Sequence, residues 1–381
     1  MPLRTPDRDG RPGRPPRRSR LGLVLFVVLG LLLSVEVAVR IDDAVDGRDA
    51  DFYMPPTELR STMYIPHPYL GVVHRPGWKR EQGYKVSINS QGLRGPEFSP
   101  RKPEGVFRIV CVGGSTTFGT GATEDHLSYP AQLERLLNMQ ADQGLVVDDR
   151  RFEVLNAGVS GYNSIDSLIN FELRLLEFEP DAVIVYHAAN DGRIVQARDF
   201  KADYSHMRRP PPIVRISALD GFLLRWVRLY ARLSRGTDPE EQLRAMADWV
   251  FVPGYKDMTV RSNIWLNEEG LTAFMSNLVD IAAVARAHGV QPVFSTFAVA
   301  NPDETAPEAG LARFVVRANE EITELSRRMH VPLVDVAGPL TGKPELYNDW
   351  IHFTEAGELL HAQVVLQAAR QQKLFGLTGG R

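Results

Sequence analysis

Five short apolar runs constrain this chain more than any other feature: RIVCV (108–112), FEVLNAGV (152–159), PDAVIVYHAAND (180–191), QPVFSTFA (291–298) and VPLVDV (331–336). A strand with one wet face alternates apolar and polar residues, whereas an unbroken apolar run is buried on both faces. Helical spacing separates the runs. SYPAQLERLLNMQ puts Leu133, Leu136 and Leu137 on one side, SIDSLINFELRLLEFE follows the second run, and helices are expected over 270–288, 311–329 and from Thr354 to Gln371. Strands alternating with helices predict an α/β fold: a three-layer α/β/α arrangement around a central parallel sheet.

Upstream of this domain lies a second constraint. From Leu21 to Val39 the chain reads LGLVLFVVLGLLLSVEVAV, and Glu36 is its only charge. As a helix this run is about 28 Å long, close to the hydrocarbon thickness of a bilayer. A cleaved signal peptide also has a basic start and an apolar run, but this run exceeds the usual length and SVEVAVR offers no small-x-small cleavage site. An uncleaved transmembrane anchor is therefore expected over 21–39. Residues 1–20 hold seven Arg and two Asp, while an acidic IDDAVDGRDAD follows the run. The positive-inside rule then places the N-terminus in the cytoplasm and everything from about Arg40 outside it. Arginine outnumbers lysine 37 to 7, which fits a GC-rich bacterial source, so the expected location is the bacterial plasma membrane. The other 361 residues carry 37 basic and 45 acidic groups, so no basic face for nucleic acid is expected. Cys111 is the only cysteine, which excludes an intrachain disulfide.

The expected organisation is a basic tail (1–20), the anchor (21–39), a Pro/Gly-rich tether with an N-terminal cap (40–104), and a catalytic domain (105–375). YKVSINSQGLRG in the cap suggests a hairpin or edge. Residues 193–265 interrupt the strand–helix rhythm and are too long for a simple connection. Within them DGFLLRWVRLYARLSRG places Leu223, Trp226, Val227 and Tyr230 on one side and Arg225, Arg228, Arg232 and Arg235 largely on the other. Such a helix is either a lid packed on the domain or a basic amphipathic helix resting on an anionic membrane surface.

In parallel sheets of this kind ligands bind at the carboxyl ends of the strands. The first run ends in Gly113-Gly114-Ser115-Thr116, the second in Asn156-Ala157-Gly158-Val159-Ser160-Gly161, and the third in Ala189-Asn190-Asp191; Asp349 and His352 stand just before the last helix. Taken singly, these are a tight turn, a glycine needed for positive φ, a helix cap and a surface pair or two metal ligands. Taken in order, with the surrounding RIVCVGGSTTFGTG, VLNAGVSGYNS, VYHAANDGR and DWIHFTEAG, they resemble the SGNH (GDSL-type) hydrolase family over roughly residues 105–375. Two positions depart from the family pattern: its Gly-Asp-Ser is Gly113-Gly114-Ser115 here, and its Gly-x-Asn-Asp is Ala188-Ala189-Asn190-Asp191.

The resemblance implies a flavodoxin-like SGNH hydrolase fold and a serine ester hydrolase. Ser115 would be the nucleophile, His352 the base and Asp349 its orienting acid. The oxyanion hole would comprise the Ser115 and Gly161 N–H groups and the Asn190 amide. His187, near a strand end, is the competing base. No metal or organic cofactor is implied. The expected partner is an acyl ester, with acetylated envelope carbohydrate favoured by location. An acyltransferase acting on envelope polysaccharide and a catalytically inactive binding protein of the same fold are the competing readings. A phosphate-binding role for the GGST turn lacks the P-loop lysine.

Overall fold

In the computed structural model of the protein the described residues are 17–45, 63–80, 83–197, 200–207, 218–235, 266–301 and 309–378. The contacts divide the chain into two units, Met1–Leu59 with Val214–Gln242, and Arg60–Ile213 with Leu243–Arg381. The first unit begins with α1 (Arg17–Val45). Its stretch Leu21–Val45 is long and apolar enough to cross a membrane, and its apolar side chains are exposed.

The second unit opens with the hairpin of β1 (Tyr64–His67) and β2 (Gly71–His74) and the short pair β3 (Lys79–Arg80) and β4 (Val86–Ser87). The main domain follows: β5 (Val106–Gly113), α2 (Ser115–Phe118), α3 (Tyr129–Asp142), β6 (Arg151–Asn156), α4 (Ser164–Asn170), β7 (Ala182–Tyr186) and α5 (Ala189–Val195). Two helices, α6 (Ala218–Trp226) and α7 (Arg228–Arg235), belong to the first unit. The domain resumes with α8 (Glu268–Ala287), β8 (Gln291–Ser295), α9 (Ala309–Met329), β9 (Leu333–Val334), α10 (Ala337–Leu340) and α11 (Glu355–Gln371). Most of the expected insertion, residues 208–217 and 236–265, lies outside the described residues.

The five domain strands form one parallel sheet in the order β6-β5-β7-β8-β9. Numbered within the sheet, that order is 2-1-3-4-5, the flavodoxin-like arrangement whose switch point falls between β5 and β7. The strand interiors Ile109, Val110, Cys111, Val112, Val183 and Ile184 are fully buried, which explains why their sequence does not alternate. Leu133 and Leu137 of α3 are buried against the sheet, and Leu136 is half-buried at the edge of that face.

A guanidinium secures the amino end of the sheet. Arg108 is fully buried and donates to the Glu153 carboxylate (2.6 and 2.9 Å), Ser99 O (2.8 Å), Pro100 O (2.9 Å) and Phe178 O (2.5 Å). It thereby ties the cap segment, β6 and the turn before β7 to β5.

Glu358 on α11 is also buried, and one of its oxygens accepts the Tyr129 N–H at 2.8 Å. Burial pushes its carboxyl up to about 8, against the pull of that hydrogen bond and of Arg94. The fold therefore favours the neutral acid, a contribution fully present below the unfolded value of 4.5 and lost as pH rises through 8. Glu358→Gln keeps an acceptor for Tyr129 and carries no charge. Thermal melts at stepped pH are expected to show the wild type losing stability relative to this variant between about pH 5 and 9. A difference that stays constant across that range would contradict the assignment. Buried His74, His187 and His361, each held near 3 by burial, act with opposite sign: they destabilise the fold as pH falls below 6.5.

Candidate active site

Ser115 opens α2 directly after β5, and the two residues before it have no room for side chains. A Cβ on Gly113 would stand 2.7 Å from Tyr186 O, and one on Gly114 would stand 2.6 Å from Asn190 Nδ2. The α2 turn thus lies close to the Asn190 amide. Below the turn, Gly158 lies so close to the α2 backbone that a Cβ there would fall 2.6 Å from the Thr117 carbonyl carbon. Gly161, with φ +87°, makes the left-handed turn after β6 that favours glycine.

The cap holds the far end of α2. Arg94 is buried and donates to Phe118 O (2.9 Å), Gly119 O (2.7 Å) and Ala122 O (3.2 Å), with Asp125 Oδ1 at 2.9 Å as its counter-ion. A guanidinium at the carboxyl end of a helix satisfies carbonyls that have no partner within the helix. Its weight was not legible in the sequence, where YKVSINSQGLRG suggests only a hairpin or edge.

His352 and Asp349 share one tight loop before α11. The loop is closed by Asn348 N–H to His352 O (2.7 Å) and Thr354 N–H to Leu346 O (2.8 Å), and Thr354 caps α11 by accepting the Gly357 N–H at 3.3 Å. His352 Nε2 lies 2.7 Å from Ser115 Oγ, and His352 Nδ1 lies 2.6 Å from Asp349 Oδ2. The other Asp349 oxygen accepts the backbone N–H groups of Ile351 (2.9 Å) and His352 (2.8 Å). Partial burial would raise the Asp349 carboxyl, but the His352 ring and these two N–H groups outweigh it and hold it below the ordinary carboxylate range. The aspartate is therefore an anion wherever the imidazole can act as a base. Its side chain is 49% exposed and that of His352 21%, so water screens this pair more than a fully buried one.

Asn190 sits in the first turn of α5, after β7, and its Nδ2 donates to Tyr162 O at 2.8 Å. Tyr162 directly follows Gly161, so the loops after β5, β6 and β7 meet at the sheet's switch point. A pocket opens there, lined by Gly114, Ser115, Ala188, Asn190, Phe297 and Ile351.

The structure gives His187 other partners. It is buried, with Nε2 2.7 Å from Ser167 Oγ and Nδ1 3.8 Å from Asp191 Oδ2. This is a second Ser-His-Asp array, but Ser167 and Asp191 are as inaccessible as the histidine. Asp191 also accepts from Ser164 Oγ (2.5 Å) and Tyr204 OH (3.1 Å), while Asn277 Nδ2 reaches Ser164 Oγ at 2.8 Å. Burial pushes Asp191 up to about 7 despite these hydrogen bonds. The network braces α4, α5 and α8 behind the pocket. The ND pair gave the one hint of it, since the aspartate next to Asn190 had no role of its own. Among the described residues no group of three or more His, Cys, Asp or Glu forms a metal site.

Residues 111–360 match the family model described as GDSL-like Lipase/Acylhydrolase, and the chain belongs to that family. It is a hydrolase acting on ester bonds. Solved structures similar to it include a GDSL-like lipase from Bacteroides thetaiotaomicron, 14% identical, with 70% of this chain and 88% of that chain covered at a TM-score of 0.37. An acetylxylan esterase from Geobacillus stearothermophilus is 16% identical, with coverage of 69% and 93% and a TM-score of 0.41. A second acetyl xylan esterase is 13% identical, with coverage of 69% and 99% and a TM-score of 0.41. No relative matches among curated proteins.

Proposed function

We propose that the protein is a membrane-anchored esterase that removes short acyl groups, acetyl above all, from carbohydrate or other esters of the cell envelope. The observation that carries the chemistry is the unbroken relay from Ser115 Oγ through His352 to Asp349, at 2.7 and 2.6 Å. A serine hydroxyl attacks an ester only as a base removes its proton, and His352 Nε2 stands at that proton. As Ser115 Oγ bonds to the carbonyl carbon, the proton passes to His352 and the carbonyl oxygen becomes an anion. The Ser115 and Gly161 N–H groups and the Asn190 amide receive that charge. Asn190 would exchange its hydrogen bond to Tyr162 O for the developing oxyanion. His352 then returns the proton to the leaving alkoxide, and water, activated by the same imidazole, releases the acid from the acyl-serine. Asp349 holds the ring in the tautomer that presents a bare Nε2 and stabilises the imidazolium.

Phe297 and Ile351 line the pocket beside Ser115 and Asn190, an apolar surface on which a short acyl chain can lie. The anchor over 21–39, with arginines before it and acids after it, supports a catalytic domain on the outer side of the bacterial plasma membrane.

A fluorophosphonate and a series of aryl esters test this reading on the full chain. One adduct per chain is expected, on the peptide bearing Ser115, and acetate should turn over at least about tenfold faster than octanoate. A folded chain that takes no label and cleaves no ester would refute the mechanism. A preference for long acyl chains would refute the substrate class alone.

A further inference from the structure

The one charge in the apolar run, Glu36, explains itself in the first unit. Its Oε1 accepts the N–H of Arg228 at 2.8 Å and its Oε2 that of Leu229 at 2.9 Å, so a carboxylate caps the amino end of α7. Arg40, one turn further along α1, pairs with Glu36 at 2.9 Å and donates to Trp226 O at 2.6 Å, closing the carboxyl end of α6. One ion pair thus satisfies both helix ends at the break around Val227. Beyond it, Arg232 bonds Asp42 (2.5 Å) and Asp43 (2.6 Å), and Arg228 lies 3.9 Å from the buried Asp43.

These contacts change the sequence reading of the helix. Arg228 and Arg232, which a basic amphipathic helix on anionic lipid would turn to the headgroups, face the acids of α1 instead. Leu224 and Ala231 are buried. The apolar side chains left outside on α6 are Leu219, Phe222 and Trp226, spaced three and four residues apart on one face and each at least 58% exposed; on α7 Leu233 is exposed as well. Their height follows from α1. Glu36 and Arg40 stand about 22 and 28 Å along the helix from Leu21, so the junction falls near the outer edge of a hydrocarbon layer about 30 Å thick. Tryptophan favours that level.

We propose that α6 lies in the outer boundary of the bilayer beside the anchor, with Leu219, Phe222 and Trp226 in lipid and the Glu36–Arg40 pair holding it there. This rests on the reading of 21–39 as a membrane anchor. The three side chains are apolar, so anionic headgroups are not needed for the contact.

The test uses the full chain in vesicles of phosphatidylcholine alone. Cysteine is placed at Phe222→Cys, at Phe26→Cys on the anchor, or at the exposed Gln363→Cys of α11, and each is labelled with a polarity-sensitive fluorophore. Cys111 is buried with its thiol pushed up to about 12, so it stays unlabelled. Each labelled chain must keep its esterase rate. A lipid nitroxide near the headgroup is expected to quench the label at 222 at least about threefold more than at 363, with no added anionic lipid. Quenching at 26 but not at 222 leaves the anchor standing and overturns the proposal, whether water or a second copy of the chain covers the face. Quenching at neither position overturns the anchor and the proposal together.

Discussion

Ser115→Ala is expected to lower ester turnover by about 10³-fold or more while leaving the melting temperature nearly unchanged. The serine hydroxyl is paired with the partly exposed His352 Nε2, so its removal leaves an accessible imidazole that water can solvate. No buried partner is stranded. Asp349→Asn belongs in the same series. It keeps an oxygen for the Ile351 and His352 N–H groups but no longer holds the ring as an anion, and its half-exposed position should make its loss smaller than that of the serine. Initial rates on an aryl acetate, with melts of the same samples, decide the matter. A Ser115→Ala chain that retains more than about a tenth of the wild-type rate would remove the serine from the chemistry.

Arg108→Ala should show the reverse pattern. Five hydrogen bonds converge from this side chain on Ser99, Pro100, Glu153 and Phe178, and Arg108 is fully buried. Alanine leaves three carbonyls and a carboxylate without that donor and opens a cavity, a loss of about 3–5 kcal/mol. The amino end of β5 is the end of the strand away from Ser115, so kcat measured on the remaining folded enzyme well below its melting point should stay near wild type. Chemical denaturation gives the stability term. A loss under about 1 kcal/mol would mean that water enters and replaces the guanidinium.

The two variants separate what the sequence could disclose from what it could not. Unbroken apolar runs revealed the strands because burial on both faces removes the polar alternation, and the residues after each run lie together because parallel strands deliver their carboxyl ends to one edge. β9 shrank to Leu333–Val334 because the chain turns away at Asp335, where the carboxylate binds Thr296 Oγ1 at 2.8 Å and the Gly338 N–H at 3.0 Å. Asn190, which taken singly reads as a helix cap, lies in the first turn of α5. Distant pairings left no trace in local spacing. Arg232 and Asp43 lie 189 residues apart, and Ser167 and His187 are separated by 20, yet their contacts decide which way two helices face and which histidine is out of reach. In sequence Arg94 stands in a stretch that suggests a hairpin and Arg108 heads an apolar run, and neither position names its partners. Only the structure shows the carbonyls they gather.

The distance along the chain between Ser115 and His352 has a consequence for the order of synthesis. The two are 237 residues apart, and Asp349 shares the loop of His352 just before the last long helix. On the proposed relay the serine has neither base nor orienting acid until residue 352 has emerged, so a growing chain is expected to stay silent over the residues between them. A stalled or clipped product that stops short of that loop would carry Ser115, the switch-point loops and Asn190, and on that relay would not open an ester. Hydrolytic activity would then report that the loop of Asp349 and His352 has arrived and docked.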